Sequence, residues 1–312
     1  MQTVTLGRTG LQVSRMGVGA GGPSQIGVKT GRSEQESVNL LRRAFDAGVN
    51  LVDTSEGYGT EQIIGRALEG RDRDQIILST KKSTRHKDGT PESVMESLDA
   101  SLRRLQTDAI DIYNLHGVVP QDYRRLVEEI YPTLEAARQA GKIRFLGITE
   151  MFGEDRQHAM LSEALADDLW DVVMVGFNLL NQTARAAVLA PAIRQNVGVQ
   201  VMFAVRKALG SEEAIVPFVQ SLLERGEMDT EDVDVGRILD FALSSAASLP
   251  DLAYRFCRDE AGVHVVLSGT GNAEHLERNL ESFEREPLPK ETTQKLRHIF
   301  RSVVSTTGQS LD

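Results

Sequence analysis

The sequence predicts an α/β chain folded as one (β/α)8 TIM barrel, and three observations carry that expectation. Eight short apolar runs recur along the chain, spaced mostly by roughly 25–35 residues, the size of a strand plus its crossover helix. Segments with helical periodicity and helix-start signals lie between them. The length of 312 residues suits one such barrel, and eight units are its expected content. No Pro/Ser-rich linker or low-complexity tract divides the chain, so residues 1–312 are read as a single domain. The competing architecture, a doubly wound open sheet, lacks its signal, because no run is followed by a tight G-x-G-x-x-G turn opening a helix.

Residues 4–6 and 11–14, joined by Gly7-Arg8-Thr9-Gly10, read as an N-terminal β-hairpin. Residues 16–19 form the first barrel strand and run into Ala20-Gly21-Gly22. Ser33 with Glu36 three residues on is a capping box, opening a helix with Val38, Leu41 and Phe45 on one face and Gly48 past its end. The second strand is 49–52. The third, 76–80, ends on Lys81, and Pro91 then starts a helix with Val94, Leu98, Leu102 and Leu105 as its apolar stripe. The fourth strand, 109–115, ends on His116. Pro132 starts the next helix and Gly141 closes it before strand five at 143–148. Strands six, seven and eight are 172–175, 199–202 and 264–267. The interval 206–261 is too long for one crossover. It reads as an elaborated loop between strands seven and eight, with extra helical segments and an acidic stretch at 227–234.

Composition narrows the function classes. Apolar content of 40% and charged content of 26% describe an ordinary globular protein. The net charge of −10 repels a phosphate backbone, and no Lys/Arg-rich run with interleaved aromatics offsets it, so nucleic acid is not an expected partner. Cys257 is the only cysteine. It rules out an internal disulfide, sits on an apolar helical face, and fits a reducing cytoplasm. Residues 1–5 lack the features of a signal peptide. No apolar run reaches the roughly 18–20 residues needed to cross a bilayer, so a membrane partner is not expected either.

Four polar groups fall at comparable places in this scheme. Asp53 ends strand two, Tyr58 follows on the next loop, Lys81 ends strand three and His116 ends strand four. Active sites of this barrel form at the C-terminal face, where adjacent strands bring such groups together. A phenol, with an ordinary pKa of about 10, exchanges protons poorly at neutral pH. An ammonium nearby favours phenolate, and a carboxylate holds and orients the ammonium. Tyr58 with Lys81 and Asp53 therefore makes a tuned general acid, and neutral His116 makes a hydrogen-bond partner for a carbonyl oxygen. No side chain supplies a hydride, so this chemistry requires a nicotinamide cofactor. Each residue also has a purely structural alternative: Lys81 solvated beside Lys82, His116 bonded to backbone, Asp53 capping its turn. Their joint position at three successive strand ends favours the functional reading.

The segment Asp53-Thr54-Ser55-Glu56-Gly57-Tyr58-Gly59 resembles the D-T-A-x-x-Y-G signature of the aldo-keto reductases. Ile77-Leu78-Ser79-Thr80-Lys81 is similar to that family's strand ending in the catalytic Lys. Ser101 to Arg104, then Asp108 to Tyr113, resemble its segment leading to the catalytic His, and Gly141-Lys142-Ile143-Arg144 resembles its G-K-I-R stretch. The resemblance covers nearly the whole chain, in motif order, and points to a bacterial-type member. It implies Tyr58 as proton donor, Lys81 and Asp53 as its tuners, His116 as substrate orienter, and a small-molecule carbonyl or alcohol as substrate. It also implies NADP(H), with NAD(H) as the alternative, extended across the barrel mouth.

On this resemblance Gly19 and Ala20 are expected at the cofactor. So are Ser268, Gly269, Thr270, Gly271 and Asn272 in the adenosine-phosphate loop, and His275, Arg278 and Asn279 on the helix after it. A Gly-containing turn at a helix N-terminus suits a phosphate. His275 stands where many NADPH-using members have Arg. Thr149-Glu150 replaces the Ser-Asn pair that bonds the carboxamide, Met174 replaces a Gln, and Phe203 is the candidate ring-stacking aromatic. Arg206, with Lys207, stands in the usual Ser-Pro-Leu segment, open to three readings: a hold on a diphosphate, a hold on an acidic substrate, or plain solvation. Two other classes are weighed beside this one. A nucleotide-binding regulatory or scaffold protein of the same fold is favoured mildly by Glu150 and Met174 and opposed by the intact four residues. A metal-dependent barrel hydrolase lacks its ligands, since His86, His158, His264, His275 and His298 show no ligand-like spacing, and no metal is expected.

Overall fold

The computed structural model of the chain describes residues 1–84, 89–228, 235 and 237–310. His86 and residues 229–234 of the acidic stretch lie outside them. Among the described residues there are ten strands: β1 (Thr3–Thr5), β2 (Gln12–Ser14), β3 (Met16–Gly19), β4 (Leu51–Asp53), β5 (Ile77–Ser83), β6 (Ile110–Val118), β7 (Ile143–Glu150), β8 (Val172–Gly176), β9 (Gly198–Met202) and β10 (Val265–Ser268). Strands β3 to β10 are all parallel and close into a barrel in chain order, β10 pairing with β3. The expected (β/α)8 barrel is thus the observed one. The antiparallel β1–β2 hairpin is also as expected, and it closes the bottom. Leu6, Leu11 and Val13 pack on Leu51, Ile77, Ile112, Val172 and Val265, the first inward-facing residues of their strands.

Strand alternation then decides what reaches the mouth. Side chains change face at every residue, so Leu51 in the lumen and Val52 against the helices return Asp53 to the lumen. By the same count Ile77 predicts Ser79 and Lys81 inside, Ile112 predicts Asn114 and His116, and Val172 predicts Met174. Register aligns Asp53 with Ser79, Lys81 with Asn114, and Ser83 with His116. Gly147 on β7 leaves the space that the Asn114 amide fills, since a Cβ there would collide with it.

Most helices begin where their caps say. Ser33 Oγ accepts from Glu36 N–H while Glu36 accepts from Ser33 N–H, and Pro91 opens the helix Pro91–Leu105 behind Thr90. Two features depart from the sequence reading. Strands β5 and β6 run past Lys81 and His116, because their ladder continues after the apolar runs end. Residues 120–129, to which the sequence reading assigns no element, form the helix Pro120–Glu129, with Pro at its start and Tyr123 and Leu126 buried. The interval after β9 holds the helix Glu212–Glu224 and the crossover helix Leu249–Arg258. Among the described residues no helix is long and apolar enough to cross a membrane.

Candidate active site

Lys81 is the centre of the polar cluster at the barrel mouth. Its ammonium, 2% exposed, donates to Asp53 Oδ2 at 2.6 Å and to the Thr54 carbonyl at 2.6 Å. Asp53 Oδ1 accepts from Ser79 Oγ at 2.8 Å, and Ser79 accepts in turn from Asn114 Nδ2 at 3.1 Å. Burial pushes the Asp53 carboxyl above its ordinary value, against the opposing pull of Lys81 and Ser79. Above this pair the Lys81 nitrogen lies 5.3 Å from the centre of the Tyr58 ring. The 3-10 turn Glu56–Tyr58, closed by Gly59 at φ 72°, carries Tyr58 over the pair. Gly21 backs the ring from the opposite loop, where a Cβ would run into it.

Tyr58 and His116 meet edge to face, with the phenol oxygen 3.2 Å from Nε2. His116 Nδ1 lies 3.2 Å from Ser55 Oγ, which also lies 3.2 Å from the Lys81 carbonyl. Ser55 has one proton, so its rotamer selects the tautomer. Donated to the carbonyl, that proton leaves Ser55 accepting from Nδ1–H; donated to Nδ1, it leaves Nε2–H as a donor toward the cavity. The four sequence-predicted residues Asp53, Tyr58, Lys81 and His116 are therefore brought together, with Ser55, Ser79 and Asn114 as supports.

They line one side of a cavity of about 820 Å³, the size of a cofactor or ligand pocket. Thr149, Glu150, Met174, Phe203 and Arg206 line it as well, with Gly19, Gly269, Thr270 and His275 at the far side. The groups expected at the nicotinamide are differently disposed. Thr149 Oγ1 accepts from Gly117 N–H at 2.7 Å. Glu150 is turned inward, accepting from Gly176 N–H at 2.8 Å and meeting His158 Nδ1 at 2.8 Å, with both side chains at 0% exposure. Thr183 Oγ1 donates to the Arg156 carbonyl and so accepts from His158 Nε2–H at 2.9 Å. One further proton is then shared between Nδ1 and Glu150, whose carboxyl burial pushes upward. Phe152 stacks on His158 and meets Phe203 edge to face, so this buried pair underlies the cavity wall. The Arg206 guanidinium lies 3.8 Å from the centre of the Phe203 ring.

At the far side, Gly19 and Gly269 pack backbone against backbone: a Cβ on Gly269 would stand 2.9 Å from the Gly19 carbonyl. The helix Ala273–Glu284 begins just past this loop, and the dipole at its N-terminus favours anions. Other residues expected here also make contacts within the protein. Asn272 caps that helix through Glu274 N–H and His275 N–H. Asn279 donates to Ser268 Oγ at 2.8 Å, and Ser268 bonds Tyr254 OH at 3.0 Å. Arg278 is exposed, 3.9 Å from Glu274. Ala20 is buried, its N–H on the Asp53 carbonyl, and a Cβ on Gly271 would strike Gly27.

Residues 15–301 match the family model of the aldo/keto reductase family. The chain belongs to the aldo-keto reductase family. L-galactose dehydrogenase of Arabidopsis thaliana is 39% identical over 153 residues, a match spanning 46% of this chain and 47% of the plant protein. The NADH-specific methylglyoxal reductase of Escherichia coli (strain K12) is 25% identical over 311 residues, covering 90% of this chain and 93% of that one. Among solved structures, aldo-keto reductase AKR11C1 of Bacillus halodurans (holo form) shares the fold with a TM-score of 0.72 at 24% identity, over 98% of this chain and 97% of that one. An aldo/keto reductase of Klebsiella pneumoniae in complex with NADP and acetate does so with a TM-score of 0.68 at 23% identity, over 95% of this chain and 94% of that one.

Sequence reasoning missed several groups around the site of this aldo-keto reductase. Ser55 and Ser79 sit two residues from Asp53 and Lys81 and carried that signal. Gln309 lines the cavity because residues 306–308 dock on Asn178, Asn181 and Ala208, which no local pattern announces. The Glu150–His158 pair depends on His158 at φ 63°, a left-handed conformation invisible to periodicity.

Proposed function

We propose that this chain is an NAD(P)H-dependent oxidoreductase that reduces an aldehyde, ketone or sugar-type carbonyl to the alcohol, or runs the reverse oxidation. The observation that carries the reading is the Tyr58 hydroxyl at the cavity mouth, paired with His116 and set above the buried Lys81–Asp53 pair. A reduced nicotinamide supplies, when bound, the two electrons and the hydrogen that the carbonyl carbon takes up. Tyr58 gives its proton to the carbonyl oxygen and recovers one from solvent. Lys81 favours the phenolate left behind and Asp53 keeps Lys81 in place; with Ser55 in the rotamer that donates to His116 Nδ1, Nε2–H directs the carbonyl oxygen to the phenol. Gly19 and Gly269 with Thr270 and His275 would hold the cofactor's phosphate end, and Thr149, Met174 and Phe203 its ring end. NADP is the preferred cofactor and NAD the second. The family's representatives bound to NADP and named NADH-specific support both. The same reading takes residues 1–312 as one cytoplasmic catalytic domain.

Incubating the protein with NADPH or NADH and a panel of aldehydes, ketones and sugars tests this. Loss of absorbance at the reduced-cofactor band with at least one carbonyl, unaffected by chelator, is the expected result. A second reading has a specific observation in its favour. Glu150 is committed to His158 and Gly176, and Met174 offers no hydrogen bond to a carboxamide, which suits a nucleotide-binding protein with little turnover. Tight NADPH binding without oxidation across the panel would select it.

A further inference from the structure

The cavity holds two acids, and both are already answered. Asp53 is paired with Lys81, and Glu150 with His158. Arg206 has no such answer: among the described residues no ion pair engages its guanidinium, which lies 3.8 Å from the centre of the Phe203 ring. Lys207 lies beside it on the same wall. The chain's net charge is −10, yet this cavity carries a surplus of positive charge. Such a concave, partly desolvated cation is a focus for an anion.

The position of Arg206 says which anion. A Cβ on Gly22 would stand 3.7 Å from the guanidinium, and a Cβ on Gly21 would strike the Tyr58 ring. Two consecutive glycines thus set the cation beside the phenol. An anionic group held at Arg206 would put a carbonyl on the same small molecule within the reach of Tyr58 and His116. The guanidinium lies over the Phe203 ring, and a guanidinium fork can make two parallel hydrogen bonds to a carboxylate.

We propose that Arg206 selects substrates that carry a carboxylate as well as the reducible carbonyl, that is, oxo acids and carboxyl-bearing aldehydes. This rests on the carbonyl-reductase reading for its second half, and on Arg206 alone for its first. The competing anion is the cofactor's diphosphate. Burial holds the Arg206 guanidinium below its ordinary value, against the influence of both Tyr58 and Tyr254, and Tyr254 OH bonds Ser268 on the phosphate side.

The test compares 4-carboxybenzaldehyde with its methyl ester, which differ in charge and little in shape, for the wild-type chain, Arg206→Gln and Arg206→Lys. The expected result is a preference for the acid in the wild type. In Arg206→Gln the ratio of acid to ester in kcat/KM falls about 10- to 100-fold, the worth of a charge-assisted hydrogen bond, mainly through KM. Arg206→Lys is expected to lie between, and NADPH affinity by fluorescence quenching to stay within about threefold. An equal loss for acid and ester with weakened NADPH binding assigns Arg206 to the diphosphate and overturns the proposal, as does an unchanged ratio. Benzoate binding, read as a thermal shift in wild type but not in Arg206→Gln, checks the anion site without turnover. Ester reduction by the wild type checks the carbonyl-reductase reading by itself.

Discussion

Replacing Lys81 by Met removes the ammonium while keeping most of the side chain's volume. Asp53, about 5% exposed, then loses the partner 2.6 Å from it and keeps only the Ser79 hydroxyl. Breaking a buried pair from one side costs about 3–5 kcal/mol. An unfolding entropy of ~0.65 kcal/mol/K, from ~2.1 cal/mol/K per residue over this chain length, turns that into a Tm lowered by about 5–8 °C. The loss depends on pH in a definite direction. Burial already raises the folded-state pKa of Asp53 above its unfolded value, and removing Lys81 raises it further. A raised carboxyl contributes stability below the unfolded pKa of about 3.9 and loses it as pH rises through the folded value. The deficit of Lys81→Met is therefore larger at pH 8 than at pH 5. Asp53→Asn added to Lys81→Met removes the orphaned charge and restores most of the lost Tm, without restoring activity. Differential scanning calorimetry of the wild type, Lys81→Met and the double variant at both pH values reads all of this. A single variant with wild-type Tm, or a deficit that shrinks toward pH 8, refutes the electrostatic account of the pair.

Other residues give sharper local tests. Ser55→Ala removes the hydroxyl that selects the His116 tautomer and is expected to lower kcat about tenfold while Tm moves little, measured by steady-state kinetics and melting. Gly21→Ala pushes a methyl into the Tyr58 ring, and a displacement near 1 Å is expected to lower kcat on the order of 10²-fold, with the circular dichroism spectrum preserved. Glu150→Ala leaves His158 Nδ1 and the Gly176 N–H without partners and is expected to cost about 3–5 kcal/mol by urea unfolding. Glu150→Gln keeps an acceptor for Gly176 and is expected to cost about 1–2 kcal/mol.

How far the sequence could be read depended on the range of the physics involved. Alternation along a strand is local, so Leu51 and Ile77 as lumen residues already implied that Asp53 and Lys81 share the barrel mouth. Caps are local too, and Ser33 and Pro91 opened their helices as read. The helix Pro120–Glu129 was not read from the sequence although its signal is equally local, Pro at the start and Tyr123 and Leu126 three apart in an otherwise polar stretch. Other features depend on contacts across the fold. Glu150 faces His158 rather than open cavity because Gly176, on the neighbouring strand, donates to it. Arg206 lies on Phe203 because Phe203 takes a left-handed φ of 67°. Gln309 reaches the cavity only through the docking of residues 306–308 onto Asn178, Asn181 and Ala208.

The central claim is that the Tyr58 hydroxyl moves the proton. Tyr58→Phe removes that oxygen and nothing else. With NADPH and a neutral aldehyde, kcat is predicted to fall by about 10²- to 10⁴-fold, with Tm and NADPH affinity close to wild type. A Tyr58→Phe protein that keeps its kcat within threefold of wild type contradicts the account.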